Sequence, residues 1–389
     1  MQEGCQPFQA DRSPMGLKKS KYRDPFFPEY SFADGVNILV ILDIIFARMG
    51  DKVMKDAYAR AGVDISAKDR AVARISELVK STLRPEVLSG VGFFGGMYEF
   101  KGYKNPVLVS SIDQVGTKTK LANALNKHDT VGIDIVSHCV NDIFTCGAEP
   151  IFFLDYIGLG KMVPEKVASI VEGLTRACKD VGCALIGGET GEMAGLYATK
   201  DDYDLVGFII GVVEKDKIIK GQSIKVGDAV LGMLSNGLHT NGYSLARKIF
   251  GETREALQKK YDELGRTVGE ALLEPHTCYY NQLKPLLPYI KGMAHITGGG
   301  LVDNVPRTLP DGLGVRFDST KWDVPPIFPL IQRLGDVDRD EMYHVFNMGV
   351  GMAVICDPEE VSRITKQLSE IRVIGEVVKQ VGESRVFIE

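Results

Sequence analysis

Four short segments of this 389-residue chain gather the residue types that chemistry on a phosphorylated substrate needs. The apolar run Val107 to Ile112 reads as a strand and runs into Asp113-Gln114-Val115-Gly116-Thr117-Lys118. A carboxylate, a glycine, a hydroxyl and an ammonium thus stand at one strand end, where α/β folds usually hold ligands. Phosphate asks for backbone N–H groups at close approach, which Gly116 permits, and for a point charge, which Lys118 supplies; Asp113 suits Mg2+. A plain strand-to-helix turn with Asp as its cap fits the same residues.

Next along the chain, Asp134, His138, Asn141 and Asp142 fall within a sector of about 100° on a helix of 3.6 residues per turn. The rest of that helix is apolar (Val131, Ile135, Val136, Cys139, Val140, Ile143, Phe144). A solvated face usually carries Lys and Glu, and this stripe has neither, so a ligand or metal site is weighed against an exposed face. In the third segment, Gly187-Gly188-Glu189-Thr190-Gly191-Glu192 follows the apolar Ala184 to Ile186. It reads as a glycine-rich turn, with Glu189 available to a metal or a ribose hydroxyl; a bare hairpin-like turn is the alternative. The fourth, Ser235 to Ser244, includes His239, Thr240, Asn241 and Gly242 between a strand and a helix. Hydroxyls, amides and N–H groups at a helix start suit an anion, and His239 suits proton donation or an oxyanion contact; a structural His is the alternative.

Two glycine segments frame these four. Ser89 to Gly96, with Gly90, Gly92, Gly95, Gly96 and two phenylalanines, has the make-up of a water-excluding lid or of a simple linker. Thr297 to Gly300 precedes Arg307, a candidate phosphate clamp. Phe346 to Met352 contains a G-x-G turn, but it precedes a strand where a dinucleotide fingerprint follows one, which excludes a Rossmann reading. There is no Walker P-loop, no kinase H-R-D with D-F-G and no G-x-S-x-G, so any nucleotide chemistry uses another kind of site.

The elements that must position these groups alternate between short apolar runs and helix-length periodic stretches, which predicts an α/β fold. Expected strands are 107–112, 150–156, 184–186 and 203–213, with helices over 130–146 and 164–181. A Lys-rich stretch over 214–225 separates a second half. That half is expected to hold a strand at 228–234, a helix after Asn241, a long polar helix from Glu255 to Tyr289, a helix near 326–334, and strands at 350–356, 373–378 and 386–388. The expected division is 1–53, an N-terminal extension of uncertain role; 54–215, an N-terminal α/β domain; and 216–389, a C-terminal α/β domain.

Composition is ordinary for a globular protein, 44% hydrophobic and 25% charged. A net charge of -5 and a pI near 5.8 argue against a nucleic-acid surface, while leaving room for one pocket that takes a small anion. Seven cysteines, odd in number and without a C-x-x-C pair, read as reduced thiols in a cytoplasmic protein. The apolar run Val36 to Phe46 is too short to span a bilayer and begins too late for a signal peptide. Met49 and Met54 are alternative starts.

Taken in order from about Tyr58 to Glu389, these segments resemble the phosphoribosylformylglycinamidine cyclo-ligase family, also called aminoimidazole ribonucleotide synthetase. The carriers are Ala61-Gly62-Val63-Asp64, Arg84-Pro85-Glu86-Val87, Asp113 to Lys118, Cys139-Val140-Asn141-Asp142, Gly147-Ala148-Glu149-Pro150, Gly187 to Thr190, His239 to Ser244, Thr297 to Gly300 and Phe346 to Met352. The first fifty residues depart from the family pattern. The resemblance implies a two-domain α/β (α+β type) fold with an N-terminal mixed sheet that joins its dimer mate and a C-terminal α/β sandwich. It also implies ATP and Mg2+ as cofactors, formylglycinamidine ribonucleotide as substrate, a homodimer, and neither nucleic acid nor membrane as partner. Carried over by residue, Asp113, Asp134, Asp142 and Glu189 would organise Mg2+ and the triphosphate, and Lys118 would offset charge on the transferred phosphoryl. Gly90 to Gly96 would close over the nucleotide, with Gly116, Thr117, Asn141 and Gly187 to Thr190 around it. His239, Thr240, Asn241, Gly242 and Arg307 would meet the substrate or its phosphate. Related kinases and synthetases of the same superfamily, or a nucleotide-binding regulatory subunit without catalysis, are the rival expectations.

Overall fold

The computed structural model of the chain describes residues 74–90 and 92–389. The extension over 1–53, the run Val36 to Phe46, both alternative starts and the Ala61 to Asp64 motif lie outside the described residues. Two sheets organise the rest. The first has the order β1-β4-β2-β3, with β1 Pro106–Gln114, β2 Glu149–Leu159, β3 Ala184–Glu192 and β4 Tyr203–Glu214. Neighbours are antiparallel except for the parallel pair β2 and β3, so the sheet is mixed, as the resemblance implies. The second has the order β10-β7-β9-β5-β8-β6, from β5 Ala229–Leu234, β6 Ile290–His295, β7 Leu313–Phe317, β8 Val350–Cys356, β9 Arg372–Lys379 and β10 Val386–Ile388.

Strand β1 shows why one face of the first sheet becomes functional. Its side chains alternate strictly in exposure, which puts Val107, Val109, Ser111 and Asp113 on one face. Helix α1 (Lys118–Leu125) follows, then α2 (Asp129–Phe144), which lies against β1 and β4 and packs on α3 (Pro164–Asp180). α2 is apolar on most sides and buried for nearly its whole length, so its polar stripe has to be satisfied by neighbours rather than by water. On the opposite face of β1, Leu108 and Ile112 are 61% and 66% exposed.

In the second sheet, registers Leu234↔Val350 and His295↔Met352 bring the C-terminal ends of β5 and β6 to the same end of the sheet. The polar segment 235–242 after β5 and the segment 297–300 after β6 therefore emerge side by side. The long helix expected from Glu255 to Tyr289 does not form: the chain makes short turns of helix at Arg254–Leu257, Val268–Leu272 and Tyr280–Leu283, with irregular chain between. Pro275, Pro285 and Pro288 each remove a backbone donor and clash with the preceding turn. The break frees 274–279 to run across the polar stripe of α2. The glycine-rich turn expected after Ile186 is also corrected, because β3 continues straight through Gly187 and Gly188 to Glu192 and pairs with β2 along its length. Gly188 is needed there, since a Cβ would stand 2.5 Å from Asp155 Oδ1.

Candidate active site

Three elements meet at one cleft of about 550 Å3: the end of β1, the polar stripe of α2, and the chain from the end of β6 to Arg307. The stripe divides in two. At its first turn, Asp134 is sealed with Lys118, both side chains fully buried. Lys118 Nζ donates to Asp134 Oδ1 at 2.9 Å, to the His239 carbonyl at 3.0 Å and to the Glu274 carbonyl at 2.8 Å, and lies 2.8 Å from Asp134 Oδ2. The His276 N–H also donates to Asp134 at 2.7 Å. Burial presses both groups towards neutrality, Lys118 down and Asp134 up, against their mutual attraction. Neither reaches the cleft, which corrects the expectation that Lys118 faces a transferred phosphoryl and that Asp134 holds Mg2+. Asn141 is likewise enclosed: it donates to the Thr277 carbonyl at 2.8 Å and accepts from the Tyr279 N–H at 2.9 Å. It clamps the 276–279 segment and has no face for a nucleotide.

One turn further along α2, the stripe opens. His138 Nε2 lies 2.9 Å from Asp113 Oδ2 and 3.9 Å from Asp142 Oδ2, while its Nδ1 meets Thr240 Oγ1 at 2.8 Å. Asp142 Oδ1 lies 2.8 Å from His295 Nδ1, and Asp142 Oδ2 accepts from Ser111 Oγ at 3.0 Å. The rings of His276 and His295 stand 5.3 and 5.1 Å from that of His138. Burial lifts the Asp113 carboxyl, but its bond to His138 and the Gln114 N–H outweigh this and hold it below the usual carboxylate range. Asp142 is held low in the same way, against its own burial, by His295 and His138. Burial lowers His138, yet Asp113 and Asp142 outweigh it and raise the ring above its ordinary value. For His295 burial wins and the ring titrates low. Asp142 is 31% exposed and His295 only 2%, so the carboxylate carries its charge and the ring is neutral near pH 7.

His239 is placed differently from its expected role. It sits at φ 61°, 1% exposed, stacked on His276 at 4.0 Å, with both ring nitrogens unpartnered. Burial pushes it well below an ordinary imidazole, and it does not line the cleft, so it is not the open proton donor the sequence offered. Thr240 is buried behind His138 rather than presented to a ligand. Gly242 precedes α4 (Tyr243–Phe250), where a Cβ would strike the Phe346 ring at 2.1 Å; Asn241 stands beside Gly298. Arg307 is exposed and lines the cleft with Lys220, Thr297 and Asn304, held by its bond to Asn304 Oδ1 at 3.2 Å.

The remaining expected residues lie apart. Gly116, at φ 66°, and Thr117 stand directly after β1. Gly187 to Thr190 lie on β3, at the opposite edge of the first sheet. Pairings Asp113↔Gly207↔Asp155↔Gly188 put three inter-strand spacings, roughly 14 Å, between Asp113 and that edge. Glu189 therefore cannot share one ion with Asp113 and Asp142 within a chain. The Gly90 to Gly96 loop belongs to the β3 edge too, since Gly96 abuts Ile186, and its Phe93 and Phe94 project into solvent.

Sequence reasoning missed His276, His295 and Ser111. His295 was legible only once β6 is recognised as a strand ending beside Thr297. The signal for His276 was Pro275, which ends any helix before it.

The family model for the AIR synthase related protein, N-terminal domain, matches residues 96–213, and that for its C-terminal domain matches 225–387. Phosphoribosylformylglycinamidine cyclo-ligase of Geobacillus kaustophilus (strain HTA426) is 50% identical over 340 residues, 85% of this chain and 98% of that protein. Its counterpart in Desulfitobacterium hafniense (strain DSM 10664 / DCB-2) is 50% identical over 83% of this chain and 97% of its own. Among solved structures, thiamine-monophosphate kinase from Stenotrophomonas maltophilia K279a matches with a TM-score of 0.59 at 14% identity, covering 81% of this chain and 96% of its own. The hydrogenase maturation protein HypE in complex with ATP matches at 0.57 and 16%, over 80% and 88%. At such identities these two show a shared fold alone, whereas the half-identical relatives align along almost their full length: the chain belongs to the phosphoribosylformylglycinamidine cyclo-ligase family.

Proposed function

We propose that the chain closes the imidazole ring of 5-aminoimidazole ribonucleotide from formylglycinamidine ribonucleotide, consuming ATP and releasing ADP and phosphate. The observation that carries this reading is the two-ended cleft. One end gathers Asp113, His138, Asp142 and His295, groups that bind cations and move protons; the other presents Arg307, Lys220 and Thr297, which suit a substrate phosphate. In the reaction, the formyl amide oxygen attacks the γ-phosphorus of ATP, forming an O–P bond as ADP leaves. The amidine-side nitrogen then attacks the carbon that bears this oxygen, the C–N bond forms, the nitrogen gives up a proton, and the C–O bond breaks to release phosphate. Phosphorylation turns a poor oxygen leaving group into a good one, and the protein contributes positioning and charge neutralisation.

Asp113 and Asp142 are open to the cleft and held ionised, a donor pair that fits Mg2+. Mg2+, when bound, would offset negative charge on the transferred phosphoryl. The nucleotide-binding assignments form two groups, Gly116 and Thr117 in the turn after β1 and the Gly90 to Gly96 loop with Gly187 to Thr190 at the far edge. The ATP complex of the fold relative supports nucleotide use by this architecture. A homodimer that joins the first sheets would cover Leu108 and Ile112 and pair β1, which is an edge strand among the described residues. Among those residues no helix is long and apolar enough to cross a membrane, in keeping with a cytoplasmic enzyme divided near residue 216.

The test is phosphate release from full-length protein with Mg-ATP, with and without formylglycinamidine ribonucleotide, while following the aromatic amine of the product by a colour reaction. Substrate-dependent release matched one to one by product is expected. Folded, ATP-binding protein that releases no phosphate with this substrate would overturn the reading.

A further inference from the structure

We propose that Asn304 is a positioning residue for the substrate phosphate: it holds Arg307 in the cleft by a neutral amide, so that the guanidinium is aimed yet keeps its whole charge for an incoming dianion. The inference rests on the ring-closing reading for the identity of the substrate. It deepens that reading by giving a role to a side chain that has no bond left to offer a ligand.

Asn304 is 3% exposed and ends the short helix Gly300–Asn304. Its Nδ2 donates to the Gly298 carbonyl at 3.1 Å and to the Gly300 carbonyl at 2.8 Å. Carbonyls only accept, so the amide cannot be turned round and Oδ1 faces the other way. There it accepts from Arg307 at 3.2 Å and from the Thr297 hydroxyl at 3.4 Å. With both amide protons and both lone pairs in use, Asn304 reaches a ligand only through Arg307. Its own footing is rigid: Gly299 and Gly300 take φ of 93° and 58°, and a Cβ on Gly300 would stand 1.9 Å from the Tyr343 carbonyl.

Charge explains why an amide holds the arginine. Arg247, Arg266 and Arg333 are each tied to a glutamate. The Arg307 side chain bonds to Asn304 and to no carboxylate among the described residues. A carboxylate in the place of Asn304 would aim the guanidinium equally well but cancel the charge that a phosphate needs. The amide oxygen takes one N–H and restrains a long side chain. It leaves the other donors and the charge to the cleft, which Lys220 and Thr297 also line. Preorganisation of this kind lowers the entropy cost of binding without adding a contact to the ligand.

The experiment is a double-variant cycle on full-length protein, measuring kcat and the KM values for formylglycinamidine ribonucleotide and ATP in wild type, Asn304→Ala, Arg307→Ala and the pair. Arg307→Ala should raise the ribonucleotide KM by about 10–150-fold, the loss of a charged hydrogen bond. Asn304→Ala should raise it by about 2–10-fold, the loss of one restrained side chain, with kcat and the ATP KM within about twofold of wild type. In the Arg307→Ala background, Asn304→Ala should add nothing, because a residue that acts through Arg307 has nothing left to act on. A merely structural role in the glycine turn would add its full effect there. Asn304→Asp keeps the shape and the acceptor while supplying the cancelling charge, and it serves where Asn304→Ala does not fold; it should raise the ribonucleotide KM about as far as Arg307→Ala does. Equal effects of Asn304→Ala with and without Arg307, or a wild-type KM in Asn304→Asp, would overturn the proposal. The same cycle is read without turnover from the thermal upshift given by millimolar ribose 5-phosphate. Non-additivity there, in protein that forms no imidazole product, leaves the positioning role standing and sinks the ring-closing reading alone. Wild-type protein with neither turnover nor an upshift overturns both.

Discussion

Asp134 and Asp142 lie two turns apart on one face of α2, each beside a cationic or basic side chain, yet their surroundings differ completely. Asp134 and Lys118 are closed over by the 274–276 backbone and the His239 carbonyl, with every Lys118 proton committed. Asp142, with His138 and Asp113, keeps a third of its surface open to a cleft. The sealed pair ties α1, α2 and the second half of the chain together; the open group retains oxygen and nitrogen atoms that a ligand can use. Helix periodicity sets all of these residues on one stripe, and only the tertiary cover decides which end of it does chemistry.

The largest effect expected from breaking that contrast is on the sealed end. Lys118→Met leaves Asp134 buried without its counter-charge and should cost about 3–5 kcal/mol in urea unfolding. The double variant Lys118→Met/Asp134→Leu should recover most of that loss, because no orphan charge remains. At the open end, Asp113→Asn should lower turnover by about 10²–10³-fold and cost less stability than Lys118→Met, because the cleft is open to water and Asn can still accept from His138.

A smaller effect sharpens the electrostatic side of the contrast. His138 is raised above its ordinary value of 6.5, by Asp113 and Asp142 against its burial. Its stabilising contribution is therefore complete below pH 6.5 and lost as pH rises through the raised value. Asp113 and Asp142 are lowered from 3.8, so theirs is present above pH 3.8 and lost as pH falls through the lowered values. In chelator-treated protein, stability should thus decline on the alkaline side with a slope of at most about 1.4 kcal/mol per pH unit, and His138→Gln should remove that decline. An unchanged profile would show that the ring is not paired with the two carboxylates. Smallest of all, the exposed pair Lys80–Glu77, at 2.7 Å, makes the same contact in water as Lys118–Asp134 makes in the interior. Lys80→Ala should shift stability by no more than about 0.5 kcal/mol.

Much of the first sheet was legible in the sequence. The apolar run Val107 to Ile112 and the apolar periodicity of 130–146 place β1 and α2 within two residues. The second half was less so. The 255–289 stretch carries helix-forming composition, and its three prolines were outweighed until the chain is seen to break there. The glycines of β3 read as a turn, although their cause is the close approach of β2, which no local pattern records. At the site, Asp113, Asp142 and Arg307, picked out by residue type and position, all line the cleft. His239 was overvalued because its segment looks like an anion-binding helix start. His276 and His295 were missed because they enter the site through pairings between elements far apart in sequence.

The most direct test measures turnover per folded molecule, with Mg-ATP and formylglycinamidine ribonucleotide, for Asp142→Asn against Lys118→Met/Asp134→Leu. Asp142→Asn should lose at least about 100-fold, while the double variant should stay within about tenfold of wild type once its folded fraction is counted. The reverse order, with the sealed pair essential to turnover and Asp142 dispensable, would contradict the assignment of chemistry to the open end of α2.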